Sequence, residues 1–148
     1  MNLRKTLTPE VVSLGLKAET KEDDLTELVD LLMQSGKVSD RDAALAAIRE
    51  REAKMSTGIQ HGVAIPHGKS SAVDELVACI AVKPEGIEFA ALDGEPSTIF
   101  IMTLSPVNRT GPHVQFLAES SQLLQTAEAR ERILAVRSAE ELLSIFIK

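Results

Sequence analysis

The sequence is short of aromatic residues and of cysteine, and both shortages exclude classes of protein. Its 148 residues include four Phe, no Trp and no Tyr, and the formal net charge is −6. A nucleic-acid-binding surface usually combines a basic patch with rings that stack on bases, so we expect no nucleic-acid partner. The single Cys79 lies in an apolar run and has no second cysteine to pair with. We therefore expect a buried, structural thiol in a reducing compartment.

The sequence also lacks a long apolar run. A membrane-spanning helix needs about 18 or more consecutive apolar residues, and no such stretch occurs. Arg4 and Lys5 are followed by a mixed sequence that includes Glu10, which is not typical of a signal peptide. We therefore expect a cytoplasmic protein with no direct membrane insertion. A chain of about 150 residues can bury its own core without a disulfide or metal, so residues 1–148 are predicted to form one domain.

Two helices are predicted in the first third of the chain. Thr20 is the expected N-cap of the first, with Asp23 three residues later in a variant of the capping box. An i, i+3, i+4, i+7 stripe follows, formed by Leu25, Leu28, Val29 and Leu32. Gly36 suits the end of this helix. Ser39 is the predicted cap of the second helix, whose later turns carry the charged run at 49–54.

Short apolar runs bounded by turn residues then predict buried strands, at residues 63–65, 76–82 and 98–104. A short extended segment at 11–16 precedes the helices. After a loop at 105–112, three further helical segments are expected, following His113, Thr126 and Ser138. Helices on either side of the strands in sequence favour a sheet covered on both faces. The predicted fold class is α/β, a single domain with a mixed β-sheet flanked by helices on both faces.

Residues 58–70 form the segment with the clearest chemistry, Gly-Ile-Gln-His-Gly-Val-Ala-Ile-Pro-His-Gly-Lys-Ser. Pro66 removes a backbone donor and keeps Ile65 extended, so the strand is predicted to end by His67. Gly68 is expected to leave open space through which another molecule's backbone could approach. An imidazole with a pKa of about 6.5 is largely neutral near pH 7, so His67 could act as a nucleophile, base or metal ligand.

Two more specific interpretations of this segment, a phosphate-binding P-loop and a structural metal site, are disfavoured. Gly-Lys-Ser at 68–70 is similar to the end of a phosphate-binding P-loop, but five residues separate Gly62 from Gly68 where that motif has four. His61 and His67 do not have helical i, i+4 spacing, and no paired cysteines or dense carboxylates accompany them. We expect no structural metal site. Counting alone leaves open a catalytic metal site built from these two histidines and His113.

Taken one at a time, the other polar residues have simple interpretations. His113 follows Gly-Pro at a predicted helix start, where a solvated first-turn residue is usual. Arg51 lies within Arg-Glu-Arg-Glu, which is typical of an exposed charge ladder on a helix. His61 stands between Gln60 and Gly62 in a predicted turn. None of these positions indicates a function by itself.

Four segments form a more informative pattern together. They are Arg-Glu-x-x-x-Ser-Thr-Gly-Ile at 51–59, Gly-Val-Ala-Ile-Pro-His-Gly-Lys at 62–69, Leu-Asp-Gly-Glu-Pro at 92–96 and His-x-Gln-Phe-Leu-Ala at 113–118. This pattern resembles the type-2 enzyme IIA domain of the bacterial phosphoenolpyruvate-dependent phosphotransferase system, the fructose, mannitol and nitrogen-regulatory class. The resemblance covers nearly the entire chain. The Ala-Ile-Pro-His segment is highly specific for this family when it occurs together with the other three segments.

The resemblance implies a role for three residues. His67 corresponds to the phosphoryl acceptor of the family, with Nε2 as the implied nitrogen, and Arg51 and His113 correspond to its active-site arginine and second histidine. Phosphoryl transfer mainly requires in-line positioning and charge stabilisation, which a guanidinium and an imidazole N–H can supply. Backbone N–H groups near residues 69–72 could add an anion-binding nest. No role is implied for His61, and no cofactor or metal ion is required.

The function implied by the resemblance is that of a phosphoryl carrier. It would accept a phosphoryl group from phospho-HPr or an HPr-like protein and pass it to an enzyme IIB component during sugar uptake. The main alternative is a nitrogen-regulatory IIA protein, phosphorylated at the same histidine and acting by phosphorylation-dependent binding to target proteins. A third alternative is a binding module that has kept the fold without turnover. A histidine-dependent hydrolase is disfavoured because no nucleophile elbow is present.

Overall fold

A mixed β-sheet lies between two layers of helices in the computed structural model, which describes residues 6–109 and 111–146. The strands of the described residues are β1 (Val12–Ser13), β2 (Val63–Ala64), β3 (His67–Lys69), β4 (Val77–Ile87) and β5 (Ser97–Ser105). The helices are α1 (Lys21–Met33), α2 (Arg41–Lys54), α3 (Gly111–Leu123), α4 (Ala127–Ala135) and α5 (Ala139–Phe146). A 3₁₀ turn, Pro9–Val11, precedes β1, and β1 lies within the segment at 11–16 that was predicted to be extended.

The centre of the sheet is the antiparallel pair of β4 and β5. Strand β1 pairs in parallel with β4, whereas β2 and β3 both pair in parallel with β5 and follow one another along its outer edge. Pro66 separates these two short strands, but its carbonyl oxygen still accepts a hydrogen bond from the Thr103 N–H at 3.0 Å. The prediction that the strand ends by His67 is confirmed, since β2 ends at Ala64, but the sequence did not predict the second strand that follows. Proline removes a donor only, so pairing resumes with His67 opposite Thr103.

Successive side chains of β4 point to opposite faces of the sheet, and both faces are buried. Cys79 and Ala81 belong to the core that α1 and α2 cover, whereas Ala78 and Ile80 belong to the core that includes residues of α3, α4 and α5. Cys79 is fully buried, as predicted, and burial raises the pKa of its thiol. The predicted α/β fold with a mixed sheet flanked by helices on both faces is confirmed.

The first helix follows its sequence signals closely. Thr20 Oγ1 accepts a hydrogen bond from the Asp23 N–H at 3.2 Å, and the apolar stripe of α1 is buried. The cap predicted for the second helix was wrong by one residue. Asp40 Oδ1 accepts from the Ala43 N–H at 3.0 Å, while the Ser39 hydroxyl donates to the carbonyl of Ala72. Both residue types are good caps, and the long-range bond to Ala72 decides between them.

Three helices follow the sheet, as predicted, although the first begins inside the loop predicted at 105–112. Helix α3 begins at Gly111, two residues before His113, so this histidine lies in the first turn. Thr126 Oγ1 accepts from the Ala129 N–H at the start of α4, and the Glu141 N–H donates to Ser138 Oγ at the start of α5. None of the described helices combines the length and apolar character needed to cross a membrane.

Candidate active site

The three residues predicted to form a site come together in one surface pocket. His67 lies on β3, Arg51 on the last turns of α2 and His113 on the first turn of α3. All three line a pocket of about 360 Å³. Its other lining residues are Ala47, Glu50, Lys54, Gly68 and Lys69. Taken separately, His113 was interpreted as a solvated first-turn residue and Arg51 as part of an exposed charge ladder. Neither interpretation accounts for their position in a shared pocket.

Gly68 brings helix α2 close to strand β3. A Cβ atom added at Gly68 would lie 3.1 Å from the carbonyl oxygen of Ala47 and 3.2 Å from its carbonyl carbon. The prediction of open space for another molecule was therefore wrong, because the backbone of α2 already occupies it. Arg51 follows Ala47 by four residues and so lies on the same face of the helix, one turn further along. The close approach at Gly68 therefore directs this face of α2 towards His67.

The ring of His67 is held by a backbone carbonyl. Its Nδ1 lies 2.9 Å from the carbonyl oxygen of Ile65. A carbonyl oxygen can only accept, so Nδ1 carries the proton, and in the neutral ring the lone pair is on Nε2. Burial lowers the pKa of His67, and the nearby charge of Arg51 also lowers it, although the hydrogen bond to Ile65 acts in the opposite direction. The ring is therefore neutral near pH 7.

His113 is a second neutral imidazole beside the first. The centres of the two rings are 5.2 Å apart, and His113 Nδ1 lies 3.0 Å from the hydroxyl oxygen of Ser105. Burial lowers the pKa of His113 to about 4, with further contributions from the charges of His67 and Lys69. A serine hydroxyl can donate or accept, so the contact with Ser105 is compatible with either neutral tautomer. Sequence reasoning did not single out Ser105.

Positive charge predominates around the pocket, although the whole chain is acidic. Arg51, Lys54 and Lys69 line it against the single carboxylate of Glu50. Arg51 Nη1 donates to the carbonyl oxygen of Met55 at 2.8 Å, which uses one of the five N–H donors of the guanidinium. A concave site with this charge balance attracts anions. The pocket therefore combines an unprotonated imidazole nitrogen with the charges needed to hold a phosphoryl group.

Two of the backbone N–H groups predicted to form an anion-binding nest after Gly68, those of Ser70 and Ala72, donate to other groups of the chain. The Ser70 N–H donates to the carbonyl of Ser105 at 2.9 Å, and the Ala72 N–H donates to Ser70 Oγ at 3.0 Å. Both donors are used within the chain because the segment continues along β5 and then turns. The prediction of a nest over residues 69–72 was therefore wrong for these two groups.

The histidines do not form a metal site in the described parts of the chain. Among residues 6–109 and 111–146, no group of three or more His, Cys, Asp or Glu is placed to hold a metal ion. His61 does not line the pocket and lies in a turn with a φ of 64°. Its backbone N–H donates to Asp93 Oδ2 at 3.1 Å. His61 therefore contributes to the structure of the turn through its backbone.

The chain is similar over nearly its whole length to proteins of one phosphotransferase family. The family model described as phosphoenolpyruvate-dependent sugar phosphotransferase system, EIIA 2, matches residues 5–148. The fructose-specific EIIA component of this system from Haloferax volcanii is 39% identical over 136 residues, which are 91% of this chain and 88% of that protein.

Two solved structures share the fold. The crystal structure of nitrogen regulatory protein IIA-Ntr from Neisseria meningitidis has a TM-score of 0.85 and 28% identity, covering 96% of this chain and 97% of that one. Enzyme IIAMTL from Escherichia coli, determined in a complex with phosphorylated enzyme IIBMTL, has a TM-score of 0.81 and 24% identity, covering 95% and 96%. With the match of the family model, these similarities establish that the chain belongs to the EIIA 2 family of the phosphoenolpyruvate-dependent sugar phosphotransferase system.

Proposed function

We propose that His67 accepts a phosphoryl group from phospho-HPr or an HPr-like protein and passes it to an enzyme IIB component during sugar uptake. The observation that carries this proposal is the hydrogen bond from His67 Nδ1 to the Ile65 carbonyl. It leaves the lone pair on Nε2 of a neutral ring in a pocket lined by cations. The proposal retains the cytoplasmic location expected from the sequence.

In the accepting step, the Nε2 lone pair of His67 attacks phosphorus while the bond between phosphorus and the donor breaks. The electron pair of that bond leaves with the donor. The phosphoryl group passes through a loose transition state with charge on its three equatorial oxygens. The Arg51 guanidinium neutralises part of this charge, and His113 donates a hydrogen bond from Nε2 when Ser105 donates to its Nδ1. Donation to the IIB component reverses these roles, and no metal ion or cofactor takes part.

The surroundings of the pocket suit transient binding to two partners in turn. Met55 at the end of α2 and Val114 beside His113 are large apolar side chains that are each 56% exposed, so a partner surface could cover them. Each adjoins an element that supplies a site residue. The complex of Escherichia coli IIAMTL with phosphorylated IIBMTL supports an enzyme IIB component as one partner. That HPr or an HPr-like protein is the phosphoryl donor is the more specific part of the proposal.

The second candidate function is nitrogen regulation. It is supported by the similarity to the IIA-Ntr structure, at a TM-score of 0.85. A regulatory protein would be phosphorylated at the same histidine and would act by binding target proteins according to its phosphorylation state. The two functions therefore differ in the fate of the phosphoryl group and share its site.

The test is to incubate the protein with phosphoenolpyruvate, enzyme I and HPr and to locate the label by mass spectrometry under alkaline conditions. We expect an acid-labile, base-stable phosphate on His67, and its rapid loss to a co-encoded IIB domain. The matched control is His61→Ala, which removes a histidine outside the pocket and should leave labelling unchanged. Label on His61 or His113 would contradict the site. Label that persists with every co-encoded IIB would favour nitrogen regulation.

A further inference from the structure

The carboxylate of Glu52 is buried beside the site, although it lies in a run of charged residues. Its side chain is 4% exposed, and both oxygens are engaged. Oε1 accepts from the Thr57 hydroxyl at 2.6 Å, and Oε2 accepts from the Thr57 N–H at 2.8 Å and from Lys21 Nζ at 2.9 Å. A buried carboxylate is costly unless it is compensated in this way, so these contacts hold Thr57 firmly in place.

Thr57 continues the connection towards His67 through the backbone. Its carbonyl oxygen accepts from the Ile65 N–H at 3.0 Å. The chain between them forms a narrow hairpin in which the Ile59 N–H donates to the Val63 carbonyl at 2.8 Å and Gly58 bridges Ala64. Ile65 then presents its own carbonyl to His67 Nδ1. An unbroken series of hydrogen bonds therefore leads from the Glu52 carboxylate to the ring of His67.

We propose that Glu52 is a positioning residue that sets the tautomer and orientation of His67 through Thr57 and the carbonyl of Ile65. This inference rests on the proposed function, because it assigns to Glu52 the task of presenting Nε2 as the phosphoryl acceptor. Glu52 also follows Arg51 on α2, so the same anchor fixes the helical turn that carries the guanidinium. Replacing a group that orients a metal-bound histidine typically costs about 10- to 100-fold in affinity or activity, and we expect the lower end of this range here because Glu52 acts through Thr57 and Ile65.

Glu52→Gln tests this role with little change of shape. An amide has one acceptor oxygen and no charge, so the ion pair with Lys21 is lost, and the Thr57 hydroxyl must accept from the NH₂ group where it donated to the carboxylate. The readout is ¹⁵N NMR of the His67 ring in the unphosphorylated protein at about pH 8, where an ordinary histidine is neutral. We expect Nδ1–H to predominate in the wild type and Nε2–H to increase in the variant. The rate of transfer from phospho-HPr should fall roughly 10-fold.

Asp24→Asn is the matched control, since Asp24 is also a buried carboxylate but has no hydrogen bond in the network described above. It should leave the His67 tautomer unchanged. Thr57→Val removes one contact of Glu52 and should shift the tautomer in the same direction by less; it decides the matter if Glu52→Gln does not fold. An unchanged tautomer in the folded variant, or an equal shift in Asp24→Asn, would overturn the proposal.

The NMR measurement needs neither HPr nor phosphate, so it separates the two proposals. If the wild-type protein is not phosphorylated on His67 but the tautomer responds to Glu52→Gln, the proposed function fails and the positioning role stands. If phosphorylation occurs on His67 and the tautomer does not respond, only the positioning role fails. A slower transfer without any change of tautomer also counts against it, because the effect then arises elsewhere.

Discussion

At the scale of single residues, the site depends on side chains that differ in charge at neutral pH. Arg51 contributes a guanidinium cation, whereas burial lowers the pKa values of both His67 and His113 and keeps their rings neutral. A neutral His67 keeps the lone pair that a nucleophile needs. A neutral His113 can still donate one hydrogen bond to a phosphoryl oxygen without being charged itself.

Alanine variants should separate the acceptor from the stabilising groups. His67→Ala is expected to abolish phosphorylation because the acceptor nitrogen is gone. His113→Ala and Arg51→Ala should each retain the acceptor but slow transfer by about 10²- to 10³-fold, the usual effect of losing one preorganised donor. Rapid-quench transfer assays measure these rates, and thermal melts check that each variant is folded. Transfer at the wild-type rate by both His113→Ala and Arg51→Ala would contradict the roles proposed for them.

At the scale of the elements, the site depends on how closely α2 packs against β3. The approach is possible because residue 68 has no Cβ, and it carries the face of α2 that holds Ala47 and Arg51 towards the imidazole of His67. The hairpin from Thr57 to Ile65 joins the same two elements. One glycine and one buried carboxylate thus determine the relative position of the helix and the strand.

Gly68→Ala should push these elements apart. The added Cβ would lie 3.1 Å from the Ala47 carbonyl oxygen, and overpacking of this kind costs about 1–3 kcal/mol in the free energy of unfolding. Transfer should slow as well, since Arg51 moves with α2. Denaturant unfolding and the transfer assay measure the two effects. Gly15→Ala is the control, because nothing lies within 4 Å of a Cβ there. Equal stability of both variants would contradict the packing argument.

At the scale of the whole molecule, the core between the sheet and α1 contains a buried acid. Asp24 is fully buried, and neither carboxylate oxygen has a hydrogen-bond partner among the described residues. Its pKa is raised from 3.8 to about 7, mainly by burial and also by the charge of Glu27, while the charge of Lys83 acts in the opposite direction. The buried Lys83 Nζ donates instead to the carbonyl oxygen of Ala18. This carboxyl group makes the stability of the fold depend on pH.

The direction of that dependence follows from the raised pKa. The folded protein retains a proton on Asp24 that the unfolded chain loses above about pH 4, so stability falls as the pH rises towards 7. The full difference between the two pKa values corresponds to roughly 4 kcal/mol. Asp24→Asn should therefore increase the free energy of unfolding at about pH 8 and change it little at about pH 4. Denaturant unfolding at both pH values measures this.

Asp23→Asn is the control for this prediction, because Asp23 lies next to Asp24 on α1 but is exposed. It should show no comparable dependence on pH, since an exposed carboxyl keeps its ordinary hydration in both states. If Asp24→Asn changed the free energy of unfolding equally at both pH values, ionisation of Asp24 would not be the cause.

Much of the fold could be predicted because its signals are local. The cap at Thr20, the capping box of Ser138 with Glu141 and the apolar stripe of α1 each involve residues within a few positions of one another. Backbone geometry alone turns such spacings into helices. The candidate site residues were also named from the sequence, through the pattern around residues 51–69 and 113–118, and the structure brings them into one pocket.

The sequence by itself thus indicated the described helices, every described strand except β3, and the residues of the candidate site. The tertiary structure alone decided that α2 fills the space beside Gly68, that pairing resumes after Pro66 and that Glu52 is buried. Each of these outcomes depends on partners remote in sequence or on how two elements pack: the backbone of Ala47, the strand containing Thr103, and the side chains of Lys21 and Thr57. Because burial and long-range hydrogen bonds arise only when those elements pack, no local pattern carries their signal.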